Sequence, residues 1–265
     1  MYPYLLPDIF GYTLQMYDIM IGIGIFAMFV YVAYRFEKKD GFSRKQANNL
    51  LILLAFSLVS ALFFAYFFDA LFHSIEEGKL TFGSITFIGG LIGGISTFLI
   101  LLKYFYKDEN KDVRKIMNTI IIGVVLAHAF GRLGCLSAGC CFGIPTDSFL
   151  GVVFPHGHAA EAFPNTPIYP TQLFESLFLF TLFIVLNKVK KISTYEVETY
   201  LFAYGIWRIL IEFIRGDDRG SLFPFFTTEY NSFPTPSQYL SFLMIILGIY
   251  LLYRRFKKEK YKAEN

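Results

Sequence analysis

Seven long apolar stretches, separated by short polar segments, run the length of the chain. They cover about 14–34, 49–72, 82–106, 116–136, 170–186, 195–214 and 237–253. Each approaches or exceeds the length of about 20 residues at which a helix crosses the hydrocarbon core of a bilayer. None shows the alternating segments of about 10 residues that mark a membrane β-barrel. The pattern predicts an all-α integral membrane protein: one polytopic domain over 1–265 with seven transmembrane helices. The polar segments between them are short except for 137–169, which contains no Lys or Arg.

Composition agrees with the pattern. Of the 265 residues 55% are hydrophobic and 19% aromatic, and the mean hydropathy is +0.48, well above that of a soluble globular chain. The net charge of +3 matters through its distribution. All but five of the 24 Lys and Arg residues fall at the ends of the first, third, fifth and seventh spans or in the segments that follow them. By the positive-inside rule those segments are cytoplasmic, which puts the N-terminus outside, the C-terminus in the cytoplasm and 137–169 on the extracytoplasmic side. The first 13 residues carry no Lys or Arg, unlike the start of a cleaved signal peptide, and are expected at the interface. No basic stripe on a soluble face suggests nucleic acid as a partner.

The five exceptions are Lys79, Arg132, Arg208, Arg215 and Arg219. Four are arginines at or just beyond the outer ends of the fourth and sixth spans, the level at which a phospholipid phosphate sits. An arginine near a helix centre costs roughly 2.5–3.5 kcal/mol to insert, so these side chains are expected to face protein, water or an anion. Arg208, Glu212 and Arg215 are spaced i, i+4, i+7, which on a continuous helix places them on one face. Two readings stay open: an ion-pair ladder internal to the bundle, or an anion clamp in which Glu212 orients one guanidinium while the other grips a phosphate as a fork. Arg132 favours the clamp, because a single carboxylate cannot neutralise three arginines.

The richest stretch is LAHAFGRLGCLSAGCCFG, residues 126–143. His128 and Arg132 share a helix face at i, i+4, and a neighbouring cation together with burial favours the neutral imidazole able to accept a proton. Gly131, Gly134, Gly139 and Gly143 allow close approach of backbone or ligand. Cys135, Cys140 and Cys141 lack the C-x-x-C pairs of a zinc site, so no metal is expected. A disulfide from Cys135 to Cys140 or Cys141, inert packing and a catalytic thiol remain as readings. Gln172 and Glu175 open the fifth span, where Glu175 also suits the helix dipole. The IGGLIGG of span three reads as a close-packing helix face, and its Gly89 and Gly90 could also make room for a headgroup.

These motifs together resemble the prolipoprotein diacylglyceryl transferase family. The matching stretches are Tyr17 with Asp18, GGLIGG from Gly89, GRLG from Gly131, YPTQLFE from Tyr169, YGIWRILIEFIRGDD from Tyr204 and SQYLS from Ser237, in order along nearly all of the chain. The resemblance implies transfer of the diacylglyceryl group of phosphatidylglycerol, or a similar phospholipid, to the lipobox cysteine of a preprolipoprotein signal peptide. It also implies a site facing the outer leaflet of the bacterial inner membrane. No cofactor is implied. Arg132, Arg208 and Arg215 fall on family arginine positions, Glu212, Gln172 and Glu175 on carboxylate and amide positions, and Tyr17 on the span-one tyrosine.

The chain also departs from the family pattern. Ile88 stands where the family has a histidine before the span-three glycines, Ala61 falls near a family arginine, Cys135 and Cys140 replace an asparagine and a glutamate, and Tyr169 replaces a histidine. The resemblance therefore points to a divergent member in which His128 is the candidate base. It leaves as alternatives a lipid-donor transferase with another acceptor, and a lipid-binding or transport protein without catalysis.

Overall fold

The computed structural model describes residues 4, 13–77, 87–106, 112–217, 223 and 225–264. Most of 1–12, the loop around Lys79, the start of the predicted third span and Arg219 lie outside this set. Among the described residues eight α-helices appear: α1 (Met16–Lys38), α2 (Arg44–Glu77), α3 (Phe87–Phe105), α4 (Val113–Ala138), the single turn α5 (His158–Ala162), α6 (Thr171–Lys188), α7 (Glu196–Glu212) and α8 (Pro236–Glu264). One short antiparallel pair, β1 (Phe226–Thr227) with β2 (Ser232–Phe233), closes the segment before α8.

Among the described residues five helices, α1, α2, α4, α6 and α8, are long and apolar enough to cross a membrane. Seven spans were expected. The shortfall lies in α3, of which Gly89–Phe105 is a shorter apolar helix, and in α7, which has 17 residues and carries Arg208 and Glu212. Large apolar side chains on the helices are bare, for example Phe26 at 71% exposure, Phe63 at 62% and Leu243 at 62%. On helices of this length and composition such a surface suits a lipid environment.

The chain forms two compact units, 32–113 and 1–31 with 114–265. In the smaller unit α3 lies directly on α2. A Cβ at Gly89 would stand 2.8 Å from the Phe64 carbonyl, and one at Gly93 would stand 2.4 Å from the Phe64 side chain. The GGLIGG stripe is thus the contact face itself, joined by a 2.7 Å hydrogen bond between the Ser60 and Thr97 hydroxyls.

In the larger unit the apolar core combines Ile122, Val125 and Ala129 of α4, Leu179, Leu182 and Leu186 of α6, and Tyr204 of α7. The N-terminal half of α1 crosses α4 closely, because Gly24 abuts the Ala127 carbonyl and Gly134 abuts the Tyr17 ring. α7 and α8 pack through Gly205 and Gly248. Asn118 of α4 fixes the start of α7: its amide donates to the Thr194 carbonyl at 2.9 Å and its carbonyl accepts from the Val197 N–H at 3.3 Å.

The segment after α4 decides how the end of α4, the start of α6 and the end of α7 meet. The Gly143 N–H donates to the Tyr169 carbonyl at 3.0 Å, the Ile144 N–H to the Ile214 carbonyl at 3.0 Å, and the Gly216 N–H to the Phe142 carbonyl at 3.0 Å. Residues 142–144 therefore lie between the chain entering α6 and the chain leaving α7. A Cβ at Gly143 would come within 2.6 Å of the Tyr169 carbonyl and 2.8 Å of the Ile214 carbonyl, so only glycine fits between the two backbones.

Candidate active site

That backbone junction brings the ends of α4, α6 and α7 to one level, and a buried charge network forms there. Glu175 of α6 is the hub, with a side chain 1% exposed. Its Oε2 lies 3.1 Å from Arg132 Nε and 3.9 Å from Arg208 Nη1. Its Oε1 accepts a 2.8 Å hydrogen bond from the Tyr204 hydroxyl. Two guanidinium groups from different helices thus share one carboxylate, which the tyrosine holds in place. A buried carboxylate is tolerated only with such partners.

Each arginine also has an orienting contact. Arg132 Nε donates to His128 Nε2 at 3.3 Å, with that imidazole nitrogen as the acceptor. The His128 ring meets the Tyr204 ring edge-on, centroids 5.2 Å apart. Arg208 Nη2 pairs with Glu212 Oε2 at 2.9 Å and donates to the Ser237 hydroxyl at 3.2 Å. Glu212 in turn accepts from the Thr235 hydroxyl at 2.7 Å. Thr235 also caps α8, since Gln238 Oε1 accepts from the Thr235 N–H at 3.1 Å.

Two features leave donor capacity in this network. Arg208 Nη1 is buried and makes no hydrogen bond among the described residues. Arg132 engages its partners through Nε, so its terminal nitrogens carry no hydrogen bond among the described residues.

Arg215 does not belong to the same helix face. α7 ends at Glu212, because the pairing of Ile214 and Gly216 with 142–144 pulls the chain out of helical register. The i, i+4, i+7 reading of Arg208, Glu212 and Arg215 is corrected accordingly. Arg215 forms a fork with Asp217 at 2.8 and 2.6 Å, and Asn231 donates to its carbonyl at 2.9 Å. Burial by itself would lower the Arg215 pKa, but the hydrogen bonds to Asp217 prevail and hold it above the usual guanidinium range. The expected excess of arginine over acid is corrected too: Glu175, Glu212 and Asp217 match Arg132, Arg208 and Arg215 one for one.

Three thiols gather beside this network. The Sγ atoms of Cys135, Cys140 and Cys141 all lie within 4.8 Å of one another, and none forms a disulfide. Hydrogen bonds from Cys135 and Cys140 draw the Cys141 thiol below the ordinary thiol range, while the Cys140 thiol, bonded to the other two, is pushed up. The Thr171 hydroxyl donates to the Cys141 carbonyl at 2.7 Å and the Gln172 amide to the Cys140 carbonyl at 2.6 Å. Gln172 is thereby a loop clamp at the mouth of α6.

The sequence-derived candidates divide clearly. His128, Arg132, Glu175, Arg208 and Glu212 form one network. Tyr17 packs on Gly134, whereas a Cβ at Gly131 would meet nothing within 4 Å. Gly89 and Gly90 belong to the other unit, where Phe64, Phe68, Ala61 and Ala65 of α2 occupy the space over them. Sequence reasoning missed Tyr204, Ser237, Thr235 and Asp217 as partners. Thr235 carried a legible signal, because T-P-S-Q before an apolar run is a capping box.

A family model described as prolipoprotein diacylglyceryl transferase matches residues 5–254. The chain is 31% identical over 261 residues to a phosphatidylglycerol–prolipoprotein diacylglyceryl transferase of Clostridium tetani, covering 95% of this chain and 98% of that protein. It is 32% identical over 256 residues to the enzyme numbered 2 of Clostridium perfringens, covering 93% of each. It is 29% identical over 261 residues to a Francisella tularensis relative, covering 94% of this chain and 92% of that one.

Proposed function

From the premise that the chain belongs to the prolipoprotein diacylglyceryl transferase family, we propose that its arginine network holds the phosphate of the lipid donor during group transfer. The protein is a membrane transferase that moves the diacylglyceryl group of phosphatidylglycerol to a prolipoprotein cysteine. The thiol loses its proton, sulfur attacks the glycerol carbon of the donor, and the carbon–oxygen bond to phosphate breaks. The departing electron pair then resides on glycerol phosphate. Donors aimed at the oxygen where that charge develops lower the barrier most.

The observation that carries this assignment is the shared hub: Arg132 and Arg208 converge on Glu175 Oε2, and both retain donors not committed within the network. Glu175 and Tyr204 set the separation of the two guanidiniums, and Glu212 with Thr235 sets the pose of Arg208. His128 accepts from Arg132 and serves here as a positioning residue rather than a free base. Arg215, paired with Asp217, anchors the junction.

The topology we assign is the single seven-span domain with the N-terminus outside, in which α3 and α7 also cross. The site then faces the outer leaflet of the inner membrane, and 137–169 meets the preprolipoprotein signal peptide. The test is complementation of a strain depleted of its own transferase, with mass spectrometry of a reporter lipoprotein. Diacylglyceryl addition by the wild type and its loss in Arg132→Lys and Arg208→Lys supports the assignment. Unmodified reporter with the protein inserted and folded overturns it.

A further inference from the structure

The phosphate clamp leaves the three thiols at the end of α4 without a role, yet the structure builds their arrangement with care. Gln172 and Thr171 pin the Cys140 and Cys141 carbonyls at 2.6 and 2.7 Å. Cys141 is held at φ 62°, a left-handed conformation that strains a non-glycine residue. That conformation keeps two adjacent cysteines within reach of Cys135, whose carbonyl accepts the Cys140 N–H at 3.2 Å.

The spacing suits a soft cation. Sulfurs bound at about 2.3 Å around a tetrahedral zinc ion stand about 3.8 Å apart, so a contraction of about 1 Å from the observed limit of 4.8 Å closes the trio on an ion. Thiolate sulfur selects zinc-like ions over hard cations. Three thiolates on a dication leave one negative charge, and Arg132 and Arg215 both stand in electrostatic reach of Cys141. No other His, Cys, Asp or Glu joins the group among the described residues. Three protein ligands with an open fourth position is the pattern of a catalytic rather than a structural zinc site. Access is provided as well, since Cys140 lines a cleft of about 480 Å³ together with Tyr17, His156, His158 and Glu161.

We propose that Cys135, Cys140 and Cys141 form a three-thiolate zinc site whose open fourth position takes the acceptor thiol as a thiolate. The acceptor part rests on the transferase reading above. In the step, the acceptor R–SH displaces a metal-bound water, and its proton leaves to solvent. The sulfur lone pair then forms the carbon–sulfur bond while the carbon–oxygen pair departs with the phosphate; zinc stays divalent throughout. The site supplies the thiolate that His128, occupied by Arg132, does not.

The experiment uses the full chain, purified in detergent, fully reduced and titrated anaerobically with cobalt(II). The expected result is one cobalt per chain with thiolate-to-cobalt charge transfer in the near ultraviolet, displaced by zinc. The signal is lost in Cys140→Ser and in the triple Cys→Ser variant, each with unchanged helical circular dichroism. A lipobox peptide thiol shifts the visible cobalt bands and its serine analogue does not. Stripping with a chelator lowers lipid transfer at least about 100-fold, the scale of a lost proton acceptor, and zinc restores it. Absence of cobalt binding in the folded, reduced protein overturns the site. So does binding that survives the triple substitution, or a disulfide among the three that coexists with full transfer. A cobalt site indifferent to the peptide thiol, or full transfer after stripping, overturns the acceptor role. If cobalt and peptide thiol both bind but no donor lipid is ever transferred, it is the transferase reading that fails, and the metal site stands.

Discussion

Arg132 of α4 and Arg208 of α7 meet on a single oxygen, Oε2 of Glu175, at 3.1 and 3.9 Å. Neither arginine is near the other in sequence, and no helix face unites them. Their convergence turns a buried cost into a site, because one carboxylate brings together two cations that would otherwise repel, while leaving donor atoms for a third party.

Glu175→Gln keeps the shape and removes the shared charge. Arg132 then loses its acid partner while Arg208 keeps Glu212, and breaking a buried pair of this kind costs about 3–5 kcal/mol. A large drop in the thermal midpoint in detergent, together with loss of lipid transfer, is the expected outcome.

Arg208→Lys retains a positive charge but not the fork that spans Glu212 and the incoming phosphate. Transfer should fall about 100–1000-fold, the range for removal of one donor to a developing oxyanion, with helical content unchanged. A rate within a factor of three of wild type would remove Arg208 from the chemistry.

Thr235→Val tests support at one remove. The hydroxyl donates to Glu212 at 2.7 Å in a fully buried position, and leaving that acceptor unsatisfied costs about 1–3 kcal/mol. The α8 capping box is lost with it. The variant should unfold earlier, and its KM for phospholipid should rise through a misplaced Arg208. Thr235→Ser, which keeps the hydroxyl, should restore both.

Glycine substitutions should separate the junction from the site. Gly143→Ala places a methyl 2.6 Å from the Tyr169 carbonyl and should destabilise by about 1–3 kcal/mol, the usual cost of overpacking. Gly131→Ala meets nothing within 4 Å and should shift stability by no more than about 0.5 kcal/mol. Thermal unfolding of the two variants side by side reads the contrast.

Much of the protein was legible in its sequence because a bilayer leaves little choice. Backbone polar groups in hydrocarbon must be satisfied within helices, so apolar runs announced α1, α2, α4, α6 and α8, with ends within a few residues of those expected except at the extended termini of α2 and α8. The four-residue spacings of His128 to Arg132 and of Arg208 to Glu212 survived as real contacts, because both pairs lie inside single helices and helical geometry is local.

What only the tertiary structure decided was everything that depends on where a helix stops and which helix lies beside it. α7 ends at Glu212 because 142–144 pair with the chain just beyond it, and this sends Arg215 to Asp217 instead of Glu212. Glu175 meets two arginines, and three cysteines with unpromising spacing meet one another, through a backbone junction that only Gly143 can occupy. Periodicity fixes the neighbours of a residue on its own helix; those across helices are set by packing and backbone pairing between segments far apart in the chain, which no local pattern encodes.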